Sequence, residues 1–148
     1  MDELTYVVFK VGNERYGLPI DKVERILAAQ PVTRLPKTPK MLVGLFEMSG
    51  ECIPVIDAQL RFEIEPQAVG KNFIVTSCEA GRYALRVDSV DGIEEFDDTS
   101  TDTPHKILGG TDPFLKAIGR RGDELTALLD PEYVLPQELK KKVAKIAA

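Results

Sequence analysis

The chain has 148 residues, of which 43 % are hydrophobic and 29 % are charged, and its formal net charge at pH 7 is −5. This length and composition are typical of one soluble globular domain, or of two very small units that share a core. The acidic balance argues against a nucleic-acid-binding protein, since contacts with phosphates need a basic face.

The sequence shows no sign of a membrane or secretion segment. No run approaches the roughly 18 apolar residues of a membrane span, so we expect no direct membrane insertion. The start, Met1-Asp2-Glu3, is acidic where a secretion signal would be basic. Cys52 and Cys78 lie in apolar strand patterns without metal-site spacing, so we expect both to be reduced and structural. These features predict a cytoplasmic protein.

The first forty residues predict short β-strands followed by a loop. Leu4 to Val11 and Arg15 to Ile20 are rich in β-branched and aromatic residues and are separated by Gly12-Asn13, a pattern typical of a hairpin. Val23 to Ala29 continues as an apolar strand. The three prolines between residues 31 and 39 then indicate a loop, because proline interrupts regular structure.

The stretch 44–57, Gly-Leu-Phe-Glu-Met-Ser-Gly-Glu-Cys-Ile-Pro-Val-Ile-Asp, predicts a second hairpin. Its strands are Met41 to Phe46 and Cys52 to Ile56, and Gly50 in the turn can adopt the positive φ that other residues resist. Pro54 has no N–H for a ladder, so we expect its strand to be an edge or Pro54 to sit at a bulge. An edge is a place where a partner adds backbone or packs a side chain. A buried hairpin with one poorly placed proline is the alternative interpretation.

Two helical segments are predicted. Ala58 to Phe62 forms one turn with Asp57 as its N-cap. Near the end of the chain, Pro136 fits the first position of a helix that carries four lysines toward its C-terminal end. One apolar stripe, which either packs on the second of two small barrels or faces a partner, consists of Leu139, Val143 and Ile146.

The second half of the chain repeats the first. Asn72 to Cys78 and Arg82 to Val87 predict strands joined at Ala80-Gly81. Between the segments 15–23 and 82–90, Arg, Tyr, Leu, Asp and Val recur at a constant offset of 67. Two similar hairpins could share these residues by chance, but an offset that holds across strand, turn and strand favours internal duplication.

The repeat predicts the architecture. Residues 50–57 also resemble residues 122–130, with one extra residue in the later copy. A period this long indicates two similar subdomains, with repeats that start near 6 and near 72. Each half carries about five strands, as a small β-barrel does. Because neither half can bury much core alone, we expect residues 1–148 to form a single domain whose halves share an apolar seam.

Residues 94–102, Glu-Glu-Phe-Asp-Asp-Thr-Ser-Thr-Asp, predict an acidic, turn-rich loop between the copies. We interpret it as a solvated connector. The alternative is a docking patch for a basic partner.

The sequence predicts no catalytic constellation. His105 is the single histidine and lies in a loop, and neither cysteine nor any serine occurs in a nucleophile motif. No group of His, Cys, Asp or Glu has metal-ligand spacing, and Gly109-Gly110 lacks the lysine of a phosphate loop. Asp21 and Asp88 recur at equivalent positions, which turn capping explains. We therefore expect no enzyme activity, no metal and no cofactor.

Taken together, these motifs resemble the CheW-like family of chemotaxis coupling proteins. The resemblance runs from Tyr6 to about Leu135 and includes Tyr-Gly-Leu-Pro-Ile-Asp at 16–21, the hairpin at 44–57 and the segment 83–90. It implies a mainly β fold of two intertwined five-stranded SH3-like β-barrels, to which the predicted C-terminal α-helix is added. It also implies a non-catalytic adaptor of two-component signal transduction. Such an adaptor couples the cytoplasmic tip of chemoreceptors to the regulatory domain of a CheA-type histidine kinase.

The hairpin and the strands near it form the predicted partner-binding surface. We expect its apolar members to lie near the faces, or the groove, where the barrels and their partners meet. The candidate residues are Val23, Arg25, Ile26, Gly44, Glu47, Met48, Ser49, Gly50, Val87 and Val90.

Two positions depart from the family's pattern. Its signature, Gly-Val-x-Asn-Leu-Arg-Gly-x-x-x-Pro-Val-Ile-Asp, has an arginine where this chain has Ser49 and an asparagine where it has Glu47. On the earlier strand, a frequent glutamate is replaced by Arg25. Replacing arginine by serine removes a charge and five donors. Arg25 paired with Glu47 or Glu51 would restore an ion pair of reversed polarity.

Three functions are compatible with these residues. The leading hypothesis is the coupling adaptor. The second is a specialised regulator that binds only the kinase or only the receptor, which the change at Ser49 favours. The third is a small-ligand-binding module or an enzyme that uses the cleft between the barrels.

Overall fold

The computed structural model of the chain describes residues 4–65, 68–97, 100–102 and 113–147. The predictions made for His105 and Gly109-Gly110 concern residues outside these ranges. Within them, no helix has both the length and the apolar character needed to cross a membrane.

The described residues form eleven strands and three short α-helices, with a 3₁₀ turn at Ile20–Lys22. The strands are β1 Leu4–Val11, β2 Glu14–Pro19, β3 Val23–Ala28, β4 Leu42–Met48, β5 Glu51–Asp57, β6 Asn72–Cys78, β7 Gly81–Val87, β8 Ser89–Phe96, β9 Thr101–Asp102, β10 Leu115–Arg121 and β11 Glu124–Leu129. The helices are α1 Ala58–Arg61, α2 Pro131–Val134 and α3 Gln137–Ala147.

The strands make two sheets, and each sheet draws on both halves of the chain. The first has the order β8-β1-β2-β11-β10, with the two-residue β9 added beside β10. The second has the order β3-β6-β7-β5-β4. The predicted mainly β fold with intertwined five-stranded halves and a C-terminal helix is therefore confirmed, apart from the sixth, very short strand.

The two sheets have the same internal pattern. In each, two hairpin strands from one half are flanked by three strands of the other half, and the central contact is parallel: β2 with β11, and β5 with β7. Tyr16 and Tyr83 both lie on the return strand of a hairpin, and both pack in the same large apolar cluster. The internal duplication, which would produce this arrangement, stays a prediction.

Three apolar clusters hold the sheets together. The largest joins the facing sides of the two sheets and includes Phe9, Tyr16, Leu85 and Val87. The second sheet carries another cluster on its opposite side, to which both of its end strands contribute, Leu27 from β3 and others from β4. A sheet whose end strands share one cluster must curl, as SH3-like sheets do. Among the described residues, the two end strands of each sheet are not hydrogen-bonded to each other. Side-chain packing rather than backbone pairing therefore brings the end strands together.

Two of the three helices, α1 and α3, follow the predicted signals, whereas α2 was not predicted. Asp57 caps α1, because its Oδ1 accepts a hydrogen bond from the Gln59 N–H at 2.9 Å, and Asp130 caps α2 in the same way. α3 begins at Gln137, one residue after the predicted Pro136. Its stripe packs on β5 and β7 of the second sheet, where Leu139 and Val143 are fully buried. The first of the two alternatives for this stripe is thus correct.

The prediction that Pro54 marks an edge strand or a bulge is wrong. β5 is an interior strand between β7 and β4, and the irregularity lies on β4, between Leu42 and Gly44. Pro54 faces Leu45, whose N–H and C=O both bond to Thr33 on the other side of β4. Pro54 therefore occupies a non-hydrogen-bonded position toward β4. Toward β7, the parallel pairing begins one residue later, at Val55.

The predicted acidic loop at 94–102 is largely strand. Glu94 to Phe96 belong to β8, and Thr101–Asp102 form β9 against β10. Phe96 is almost fully buried in the outer cluster of the first sheet, together with Tyr6. Because Phe96 is buried there, β8 continues through the acidic residues that precede it. Residues 98 and 99 lie outside the described ranges.

Turn capping is found for one of the repeated aspartates, Asp88, but the capped turn lies in the other half of the chain. Asp88 Oδ2 accepts a hydrogen bond from Gly12 N at 2.7 Å, in the β1–β2 turn of the other half. Asp21 is exposed in the 3₁₀ turn, and among the described residues its carboxylate has no hydrogen-bond partner. Both cysteines are free thiols, but Cys52 is exposed rather than buried among apolar residues.

Candidate partner-binding surface

The β4–β5 hairpin ends in a tight two-residue turn. Ser49 and Gly50 both have positive φ, 51° and 81°, which is the conformation of a type I′ turn. Gly50 has no heavy atom within 4 Å of where a Cβ would lie, so its backbone angle rather than space requires glycine. Both residues are exposed, as is Glu47. The turn thus presents its backbone and the Ser49 hydroxyl to solvent, as predicted.

The side of the hairpin at Gly44 is covered rather than free. Thr33 exchanges two hydrogen bonds with Leu45, at 2.7 and 2.8 Å, so the loop shields the outer edge of β4. A Cβ on Gly44 would lie 2.2 Å from the Thr33 carbonyl oxygen, and the φ of Gly44 is 154°. Gly44, predicted to bind a partner, is therefore buried, and it allows the loop to approach β4.

Buried apolar residues support the hairpin from within. Met48 is 7 % exposed and packs with Phe46, Ile53 and Phe73 in the outer cluster of the second sheet. The rings of Phe46 and Phe73 lie 4.9 Å apart. Met48 therefore lies at the base of the turn rather than on its surface. A change in this packing would move the turn.

An ion-pair cluster, Glu24–Arg82–Glu51, ties the hairpin to β3. Arg82 on β7 binds Glu24 Oε2 at 2.7 Å and also pairs with Glu51 at the start of β5. The three side chains keep solvent contact, with Arg82 28 % exposed. The cluster therefore orients the hairpin carboxylate more than it stabilises the fold.

The predicted pairing of Arg25 with Glu47 or Glu51 is wrong. Arg82 is the partner of Glu51, and in the described part of the chain neither Arg25 nor Glu47 forms an ion pair. The pairing of β3 with β6 shifts register between Val23 and Arg25. At this point β3 has one residue more than β6, which makes a bulge. Such a bulge re-aims the side chains next to it. Sequence reasoning missed Arg82, although its match with Arg15 in the repeat was a usable signal.

The predicted apolar residues fall into three environments. Val87 is fully buried in the central cluster, and its expected place at a partner-facing surface is wrong. Val23 and Val90 are half-buried against the same cluster. Ile26 is 43 % exposed on the end strand β3. The prediction missed Ile93, which lies 67 residues further on at the equivalent place on β8 and is 61 % exposed.

The described residues contain no group of three or more His, Cys, Asp or Glu able to hold a metal ion. Burial raises the pKa of the Tyr16 phenol, which also donates to Glu14, and burial raises the pKa of Tyr83 well above its usual value. Burial raises the pKa of the Cys78 thiol as well, which lowers its reactivity as a nucleophile.

The fold is that of a mainly β module of two curled, SH3-like sheets with a shared core. A sequence model of the CheW-like domain matches residues 5–139. Since this match covers most of the chain, the protein belongs to the CheW-like domain family.

Individual relatives agree with the family match. The chemotaxis protein CheW of Klebsiella aerogenes is 26 % identical over 96 % of this chain and 87 % of its own length. That of Helicobacter pylori is 24 % identical over 91 % of this chain and 83 % of its own. The crystal structure of the scaffolding protein TtCheW from Thermoanaerobacter tengcongensis has a TM-score of 0.83 and 26 % identity, covering 91 % of this chain and 94 % of that one.

Proposed function

We propose that this protein is a non-catalytic adaptor in chemotaxis-type signal transduction. Support comes from the family match, from relatives named chemotaxis protein CheW and from the structural likeness to a protein described as a scaffold. CheW-like proteins couple chemoreceptors to the CheA histidine kinase. By the same reasoning, the protein works in the cytoplasm.

The observation that carries this proposal is the exposed β4–β5 turn on a rigid base. Ser49 and Gly50 project into solvent, while Met48 beneath them is buried and Arg82 holds Glu51. A tip fixed in this way loses little conformational entropy when a partner binds it.

The proposed partners are the regulatory domain of a CheA-type kinase and the cytoplasmic tip of a chemoreceptor. We assign contact to the exposed or half-buried candidates, and support of the surface to the buried ones. The first group is Val23, Arg25, Ile26, Glu47, Ser49, Gly50 and Val90, and the second is Gly44, Met48 and Val87.

A specialised regulator that binds one partner is the second candidate. It is favoured by the charge around the turn, where Glu47 and Glu51 flank Ser49 and the family's arginine is missing. Arg82 neutralises part of the charge of Glu51, but it lies beside the strand rather than at the tip. A partner that requires the tip arginine would bind this protein weakly.

The test measures binding to a CheA regulatory domain and to a receptor tip fragment, separately and together. Binding to both at once supports the adaptor. Binding to one supports the regulator, and binding to neither contradicts both. A useful control is Val69→Ala, because Val69 is 66 % exposed but lies outside the proposed surface.

A further inference from the structure

A cavity of about 550 Å³ lies beside the second sheet, away from the hairpin turn. The loop after β3, the start of β4, α1 and the end of β7 surround it. Five apolar side chains form much of its wall: Val32, Leu35, Leu42, Val43 and Leu60. Three basic side chains line it as well: Arg34, Lys40 and Arg86.

We propose that this cavity binds a small organic anion whose phosphate or carboxylate groups are held by Arg34, Lys40 and Arg86. This site is separate from the adaptor surface, and the proposal does not depend on the proposed function.

The side chains that line the cavity carry more positive than negative charge. Three cations face it, against the one carboxylate of Asp57. Both oxygens of Asp57 are already engaged, Oδ1 by the Gln59 N–H and Oδ2 by Arg86 Nη2, each at 2.9 Å. In the ranges that the structure describes, Arg34 and Lys40 take part in no ion pair. Their charges are therefore available to a ligand.

Arg86 provides a preorganised donor. Its side chain is 16 % exposed, and its Nε is buried without a hydrogen-bond acceptor among the described residues. The chain at Gly70 packs so closely that a Cβ there would lie 3.2 Å from Arg86 Cγ. The Arg86 guanidinium lines the cavity. An oxyanion there can form a charge-assisted bond with it.

The size and the walls of the cavity indicate the ligand class. Small-molecule sites have volumes of about 300 to 1,000 Å³ and mostly apolar walls with a few fixed polar groups. An inorganic ion alone would leave the apolar wall uncovered. The cavity therefore fits an anion with a carbon skeleton, such as a polycarboxylate or a sugar phosphate.

The test is a titration of the full chain with citrate, glucose 6-phosphate and inorganic phosphate at constant ionic strength. Calorimetry gives the affinity, and ¹H–¹⁵N NMR follows the Arg86 Nε–H signal. We expect at least one organic anion to saturate a single site with a Kd of about 1 mM or tighter. The Arg86 signal should move with the same Kd, and inorganic phosphate should bind more weakly.

Two variants make the test decisive. Arg34→Gln/Lys40→Gln removes two exposed charges, so it should fold normally and bind at least about tenfold more weakly. Lys37→Asn is the matched control, because it removes a charge from the same loop outside the cavity, and asparagine tolerates the positive φ of 57° there. The proposal is overturned if neither organic anion saturates, if the double variant binds like the wild type, or if the Arg86 signal does not respond.

Discussion

Arg15 and Arg82, which align in the sequence repeat, each bridge two glutamates across one of the two sheets. Arg15 binds Glu94 at 2.5 Å and Glu124 at 3.2 Å, and Arg82 binds Glu24 and Glu51. In both cases one glutamate comes from the end strand and the other opens the return strand of a hairpin. Each arginine thus links the strands of its two glutamates, β8 with β11 and β3 with β5, which are not hydrogen-bonded neighbours.

These two arginines should differ in their effect on stability. Arg15 is 14 % exposed and Arg82 is 28 % exposed, and Glu94 is more buried than either partner of Arg82. We expect Arg15→Gln to lower the free energy of unfolding by about 2 kcal/mol, because Glu94 loses its closest cation. Arg82→Gln should cost less than about 1 kcal/mol. Urea unfolding of both variants checks the order, and a larger loss for Arg82→Gln would contradict it.

The charge at the hairpin tip should control partner binding. If coupling requires an arginine there, Ser49→Arg will bind a conventional kinase or receptor fragment more tightly, and the gain will shrink as salt rises. Ser49→Gln is the control, because it lengthens the side chain without adding charge. Binding titrations at low and high salt give the answer. Equal affinities for all three proteins would mean that partners bind elsewhere.

Two glycines of the hairpin should respond to alanine for different reasons. Gly44→Ala places a Cβ against the backbone of Thr33, so we expect a loss of about 3 kcal/mol or more. Gly50→Ala meets nothing but keeps a positive φ of 81°, which costs about 1 to 2 kcal/mol. Thermal unfolding of the two variants measures this difference. Similar losses would show that space at Gly44 is not limiting.

Among the apolar candidates, substitution of a buried residue should lower stability, whereas substitution of an exposed residue should weaken binding. Val87→Ala removes a fully buried side chain and should cost about 2 kcal/mol. Ile26→Ala and Ile93→Ala should change the free energy of unfolding by less than about 0.5 kcal/mol. If the end strands face partners, both isoleucine variants will bind less tightly. Unchanged binding by both would remove these strands from the surface.

The packing of the C-terminal helix α3 should become less stable when either member of its ion pair, Lys140 or Glu132, loses its charge. Lys140 Nζ lies 2.9 Å from Glu132 Oε2, and Glu132 Oε1 accepts from Glu79 N at 2.8 Å. Burial acts against the charged form of Glu132, but these bonds outweigh it, so the pKa of Glu132 is lowered. The bond with Glu132 also outweighs burial at Lys140, whose pKa is raised.

The sign of the pH effect follows from these directions. The stability due to Glu132 is present above its unfolded pKa and is lost as the pH falls through the folded value. The stability due to Lys140 is lost as the pH rises through its raised pKa. In a plot of the free energy of unfolding against pH, the wild type should lose stability at acid pH. We expect Glu132→Gln to reduce that loss by less than about 1 kcal/mol. An identical profile for wild type and variant would show that the pair does not contribute.

Local signals were sufficient for much of the fold. Asp57 caps α1 because an N-cap needs only the residues beside it. The Ser49-Gly50 turn follows from glycine's freedom at positive φ, and short apolar runs indicated the strands around it. Leu139 and Val143 lie on one helix face by their spacing alone. The sequence by itself therefore determined these elements, this turn and the family to which the chain belongs.

Only the tertiary structure decided which strands became neighbours. Pro54 lies in an interior strand because parallel pairing with β7 begins after it, and Asp88 binds Gly12 of the other half. Arg82 rather than Arg25 meets Glu51 because a bulge redirects β3. Each outcome depends on residues far apart in the chain, which no local pattern contains. Strand order and register place them in contact, because each sheet must bury its apolar faces against the other and within its own curl.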